Sequence, residues 1–153
     1  MIVVSDTSPL TALLTVNELE ILPQLFAEVI VPRAVWEELQ RGHDALPTWL
    51  QMREVSDNQE TTRLSALVDQ GEAEAIELAK ELHADRLLID ERKGRKLAAD
   101  EGVPVIGLLG IVLLAKRKGL VPSARQLMAA LRSNAGVYLA DDLLDKALGS
   151  VGE

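Results

Sequence analysis

Apolar residues in this chain fall into two rhythms. Short unbroken runs alternate with longer stretches in which leucine, isoleucine, valine and alanine return every third or fourth position. The runs predict strands at Ile2–Ser5, Val29–Val31, Arg86–Ile89 and Pro104–Ile106, with a weaker one near Arg53–Ser56. The longer stretches predict helices at Pro9–Thr15, Glu18–Phe26, Arg33–Gln40, Glu60–Asp69, Glu72–His83, Arg92–Glu101, Leu108–Lys118, Ser123–Ala135 and Asp141–Leu148. Pro32 and Pro122 stand where a first helical turn tolerates a missing N–H, and Gly71, Gly102 and Gly119 mark helix boundaries. Strands that alternate with helices predict an α/β domain with a mostly parallel sheet.

Leu87-Leu88-Ile89 and Val103-Pro104-Val105-Ile106 are apolar without a break, as strands covered by helices on both faces must be. The expected architecture is therefore a three-layer α/β/α sandwich. No repeat, low-complexity segment or linker interrupts it, so residues 1–153 read as a single domain. The longest apolar run, Val103 to Ala115, contains Pro104, Gly107 and Gly110 and falls short of the ~20 residues that span a bilayer. No membrane association is expected, and the N-terminus lacks the basic, apolar and small-residue pattern of a secretory leader. The expected location is the cytoplasm.

Composition narrows the chemistry. The chain has no cysteine and only two histidines, His43 and His83, which excludes disulfides, thiolate zinc sites, cysteine nucleophiles and multi-histidine metal centres. Its net charge of −8 argues against non-specific nucleic-acid binding through a basic surface. That argument reverses locally if several acids converge on a divalent cation.

Two acids stand out by position. Asp6 follows the run "IVVS" and Asp90 follows "LLI", so each closes an apolar strand. In parallel α/β sheets ligands bind beyond the carboxyl ends of the strands, near a reversal of strand order. If the two strands are parallel neighbours, both carboxylates enter one crevice. Glu38 lies on the buried side of its helix beside Val35 and Leu39, whereas Glu37 turns toward solvent. Glu72 and Glu74 open the helix after Gly71. At ~100° per residue they point about 200° apart, so only one can face the crevice. Glu72 shares the side of Ala75 and Ile76, which favours it over Glu74 as the site residue. Carboxylates packed together repel and raise one another's pKa. Magnesium or manganese, hard cations that accept oxygen ligands, relieve that cost and can activate water for phosphodiester cleavage.

The segments "VSDTSPL", "VPRAVWEEL", "GEAEAIELA", "LLIDERKGRKLA" and "VIGLLGIVLLAKRKG" together resemble the PIN-domain superfamily, over nearly the whole chain from Ile2 to about Leu148. The nearest pattern is a prokaryotic PIN-like branch with toxin-type ribonuclease relatives. The resemblance implies a ribonuclease dependent on Mg²⁺ or Mn²⁺, with Asp6, Glu38 and Asp90 matching family acids. It implies RNA as substrate, and an antitoxin protein and a second copy of the chain, in a homodimer, as partners. At the third position the family has an aspartate opening a helix, roughly D-A-x-I-A, where this chain offers Glu72 or Glu74. Thr7 and Ser8 would hold Asp6 or a bound water. Arg92, Lys93 and Arg95, at the start of the helix after Asp90, would take substrate phosphates.

Each of these residues also has a plainer role. Asp6 before Thr7-Ser8-Pro9 suits a helix N-cap, and Glu72 and Glu91 in first turns complement helix dipoles. The basic run after Asp90 suits a solvated helix face, and Lys116-Arg117-Lys118 answers the dipole at a helix end. Phe26, Trp36 and Trp49 suit the core, and aromatic residues at 3% provide poorly for stacking on RNA bases. Two rival functions follow: a catalytically weak PIN-like module that binds RNA or protein, and a phospho-acceptor signalling domain. The second needs a lysine after the last core strand, where this chain has Gly107-Leu108-Leu109.

Overall fold

A computed structural model describes all residues, Met1–Glu153. Five strands form one sheet: β1 (Ile2–Ser5), β2 (Glu28–Pro32), β3 (Leu50–Arg53), β4 (Arg86–Leu88) and β5 (Val105–Ile106). Their spatial order is β3-β2-β1-β4-β5, and every pairing is parallel. Nine helices cover the faces: α1 (Thr7–Thr15), α2 (Ile21–Leu25), α3 (Arg33–Gly42), α4 (Asn58–Ser65), α5 (Gln70–Leu82), α6 (Arg92–Asp100), α7 (Leu108–Arg117), α8 (Ala124–Asn134) and α9 (Asp141–Gly149). The three-layer α/β/α architecture expected from the sequence is present. No helix is long and apolar enough to cross a membrane.

Alternate strand residues serve opposite layers. Val3, Val29, Val31 and Leu88 pack with α1, α2, α7 and α8, while Val4, Ile30, Leu87 and Ile89 pack with α5 and neighbouring parts of α4 and α6. This two-sided burial is why those strands carry no polar alternation. The ladder outlasts the regular part of β4, because Ile89 N–H donates to Ile106 O at 3.0 Å. Asp6 N–H likewise donates to Leu88 O at 3.0 Å, which locks the end of β1 beside the end of β4. The chain builds outward from β1 on one side and resumes at β4 on the other, so the order reverses between these two strands.

Four expected elements shift, and the helix expected over Glu60–Asp69 lies earlier, at Asn58–Ser65. The weak strand near Arg53–Ser56 lies earlier, at Leu50–Arg53. It is an edge strand with only Leu50 fully buried, so its apolar signal is faint. The N–H groups of Ser56 and Asp57 instead donate to the Glu81 carboxylate at 3.0–3.1 Å, which holds that segment off the sheet. The helix expected over Glu18–Phe26 shortens to Ile21–Leu25, after a left-handed turn at Asn17 (φ 57°). The helix expected from Glu72 begins at Gln70, with Asp69 as its N-cap.

Candidate active site

A cleft of about 730 Å³ opens at the carboxyl ends of β1 and β4. Asp6, Glu38, Glu72 and Asp90, the four acids singled out in the sequence, all line it. Asp69 and Glu91 join them, so six carboxylates share the cleft with one guanidinium, that of Arg92. Thr7 and Ser8 lie in the floor beside Asp6, and Ala135–Tyr138, the turn after α8, forms the far wall.

Each acid is held by local structure. Asp6 is buried and occupies the N-cap position of α1, yet its side chain closes no capping hydrogen bond. The plain N-cap account of Asp6 therefore lacks its defining contact. Asp69 does cap, its Oδ1 accepting the N–H of Glu72 at 2.8 Å. Asp69 and Glu72 thus form the Asp-x-x-Glu start of a capping box, with Glu72 three residues into the helix and buried against the cleft. Glu91 caps α6 in the same way, accepting the N–H of Gly94 at 2.7 Å. Asp90 Oδ1 accepts the N–H of Leu108 at 3.0 Å and so pins the start of α7.

Glycines let these walls close. A Cβ on Gly71 would lie 3.0 Å from Glu38 Oε1, so Glu38 lies directly over the first turn of α5. A Cβ on Gly107 would lie 2.8 Å from Asp90 Oδ1 and 2.7 Å from Arg95 Nη1. A side chain at either position would push an acid out of place.

Electrostatics follow from this crowding. Burial pushes the Asp6 carboxyl up to about 6; the neighbouring Thr7 N–H opposes the rise, and the charges of Asp69, Glu38 and Asp90 add to it. Burial, then Asp69, Asp6 and Glu91, raises Glu72 to about 7. Asp90 is open to solvent on one side but hemmed in by protein, and desolvation lifts it too, against the Leu108 N–H and the Arg95 charge.

The other sequence candidates divide. Arg92 reaches the cleft, whereas the Arg95 guanidinium donates to Ile89 O at 2.9 Å and lines an adjoining groove. Lys93 is exposed and lines neither. It points off the solvent side of α6, since Gly94 and Ala98 take the buried side. Glu74 is not the surface group expected. It is half-buried outside the cleft, accepting the N–H of Ala34 at 3.1 Å and the amide of Gln70 at 2.7 Å. Asp69 was missed because it reads as the end of the preceding helix. Its signal, an aspartate three residues before Glu72, is the capping box itself.

A family model described as PIN domain matches residues 2–153. The chain belongs to the PIN-domain family. A search of curated proteins finds none that matches this chain. PIN domains are in general nucleases and typically use divalent metals, and a carboxylate cleft at the β1/β4 reversal is where such chemistry would sit in this PIN domain.

Proposed function

We propose that this PIN domain is a ribonuclease dependent on Mg²⁺ or Mn²⁺, with Asp6, Glu38, Glu72 and Asp90 as its acidic centre and Asp69 as a fifth member. The observation that carries the reading is a cleft lined by six carboxylates and one guanidinium, in which Asp6 and Glu72 are buried while Glu38, against its expected buried place, is exposed at the rim with Asp69 and Asp90. Asp6 and Glu72 are held well above the usual carboxylate range, by burial first and then by the charges of neighbouring acids, Asp69 foremost.

The residues fit a hard cation. Every donor is a carboxylate oxygen, and the hydroxyl of Thr7 beside Asp6 is buried without a partner. No three of the acids stand close enough to grip a bare ion, which suits a cation that keeps several waters and takes one or two carboxylates directly. Asp6 and Glu72 would hold it, with Asp90 and Glu38 lining the same cleft. When bound, the ion supplies a polarised water and neutralises charge building on the phosphate.

The protein groups do the rest. Arg92, at the start of α6, would take a phosphate oxygen of the substrate. Thr7 Oγ1 would hydrogen-bond water at the floor, and Ser8 would contact the chain being cut.

A second reading, RNA binding with weak cleavage, draws on one feature: Asp69 and Asp90 each already spend an oxygen on a backbone N–H. The test is single-stranded RNA incubated with the protein in chelator, then with Mn²⁺ or Mg²⁺ restored. Cleavage should appear only with the metal and vanish in Asp6→Asn. Full activity in Asp6→Asn overturns the proposal, and metal-dependent binding without cleavage supports the second reading. A toxin role, with an antitoxin partner and a homodimer, belongs to the same proposal. A small adjacent reading frame whose product binds and silences the protein would support it.

A further inference from the structure

We propose that a groove next to the acidic cleft holds a base of single-stranded RNA, with Tyr138 as the ring on which it stacks. The proposal rests on the ribonuclease reading and extends it from the phosphate to the base. The groove measures about 630 Å³ and adjoins the cleft, sharing Asp90, Arg92 and Tyr138 with it. Their linings differ in kind. Ile106, Leu109, Leu113 and Leu139 give the groove apolar walls, and Gly107 and Gly110 bring bare backbone to its surface. Arg92 and Arg95 stand at its polar end with Asp90 as the one acid. The groove sets one carboxylate against Arg95 and the shared Arg92, a field milder to a polyanion than the cleft's six acids, and its apolar walls offer nothing to a phosphate but suit a flat base.

Tyr138 supplies the second argument. The chain has four aromatic residues. Phe26 lies in the core and Trp36 and Trp49 pack against it, partly buried, whereas Tyr138, the sole tyrosine, is 90% exposed at the junction of groove and cleft. No fold requirement keeps a large ring there. A base stacked on an exposed aromatic ring gains affinity without regard to sequence.

The test separates base from backbone. Binding of a ten-nucleotide oligoadenylate is compared with a base-free ribose-phosphate chain of equal length, by fluorescence anisotropy of an end label in Ca²⁺, with cleavage in Mn²⁺ scored separately. Wild type should prefer the adenylate by roughly ten-fold. Tyr138→Ala should lose most of that preference while binding the base-free chain unchanged, and Tyr138→Phe should keep it. A wild type that binds both chains equally overturns the proposal, as does a Tyr138→Ala protein that keeps the preference or a wild type that binds neither. Because Tyr138 is so exposed, its replacement leaves the fold intact. RNA cleavage with no role for Tyr138 removes this inference alone. A Tyr138-dependent base preference without cleavage removes the nuclease reading and leaves the groove.

Discussion

Two clusters of carboxylates in this protein have opposite electrostatics. Between α4, α5 and α6, Arg63 Nη2 lies 2.9 Å from Glu60 and 2.7 Å from Glu101, and Lys80 lies 3.2 and 3.0 Å from the same two acids. Signs alternate, and the acids are held down. The hydrogen bonds of Arg63, then those of Lys80, bring Glu60 to about 2 and lower Glu101 as well. In the cleft beyond β1 and β4 the signs repeat, and Asp6 and Glu72 are pushed up to about 6 and about 7. One cluster ties helices together and pairs its acids with cations, leaving only the buried Oε2 of Glu77, 3.4 Å from the Lys80 ammonium, without a hydrogen bond. The other leaves like charges together and an unpartnered hydroxyl at Thr7. Folding alone gives no reason to keep the second, and that difference marks it as a site.

The sharpest way to break this contrast is activity. Glu72→Gln should reduce RNA cleavage by at least ~100-fold, since one carboxylate of an acidic centre is lost. Glu101→Gln, in the paired cluster, should leave the rate within about two-fold. Comparable losses in both would erase the distinction.

Cation binding should separate the clusters next. Millimolar Mn²⁺ should raise the melting temperature of wild type and of Glu101→Gln by several degrees, and of Asp6→Asn far less. Equal shifts in all three proteins would move the metal elsewhere. Affinity should also fall as pH drops from about 7 to about 6, because protons then compete for Glu72 and Asp6.

Charge deletion should even reverse sign between the clusters. A carboxyl whose folded pKa is raised costs nothing below its unfolded value near 4, where both states are protonated. The cost grows through the window up to about 6 and is complete above it. Without metal at pH 8, Asp6→Asn should therefore stabilise the protein, by on the order of 2 kcal/mol, and at pH 4 by almost nothing. Lys80→Met should destabilise it by about 1–2 kcal/mol, because buried Glu77 loses the ammonium 3.4 Å from its Oε2. Chemical denaturation at the two pH values reads both. Loss of stability in each at pH 8 would show that the cleft acids are structurally satisfied after all.

Much of this was legible in the sequence, for identifiable reasons. Strands buried on both faces announce themselves as unbroken apolar runs, so β1, β2, β4 and β5 and the acids that end β1 and β4 could be placed. Nine amphipathic patterns marked nine helices. Edge strand β3, with one fully buried residue, was displaced because it has little apolar signal to give. Asp69 was illegible because a capping residue looks like the end of one helix or the start of the next until hydrogen bonds decide. The wall at Ala135–Tyr138 comes from more than forty positions beyond Asp90 and shares no local pattern with it. A composition with 3% aromatics concealed that its one tyrosine stands at the mouth of the cleft.

The smallest effect concerns the two glutamates that open α5. Helical spacing separated Glu72 from Glu74 correctly, sending one into the cleft and the other away, but the side away from the cleft is not idle. Glu74 Oε1 accepts the N–H of Ala34, one of the orphan donors at the start of α3, and Oε2 holds the Gln70 amide. A carboxylate there also complements the α3 dipole from a neighbouring helix. Glu74→Ala should cost about 0.5–1 kcal/mol, as loss of a side-chain cap does. Glu74→Gln, which keeps an acceptor oxygen, should cost less. Neither should change RNA cleavage at temperatures well below melting, although α3 carries Glu38. A rate loss in Glu74→Ala that Glu74→Gln recovers would show that the α3 cap positions Glu38, and the structural and catalytic acids of α5 would then be linked through that helix.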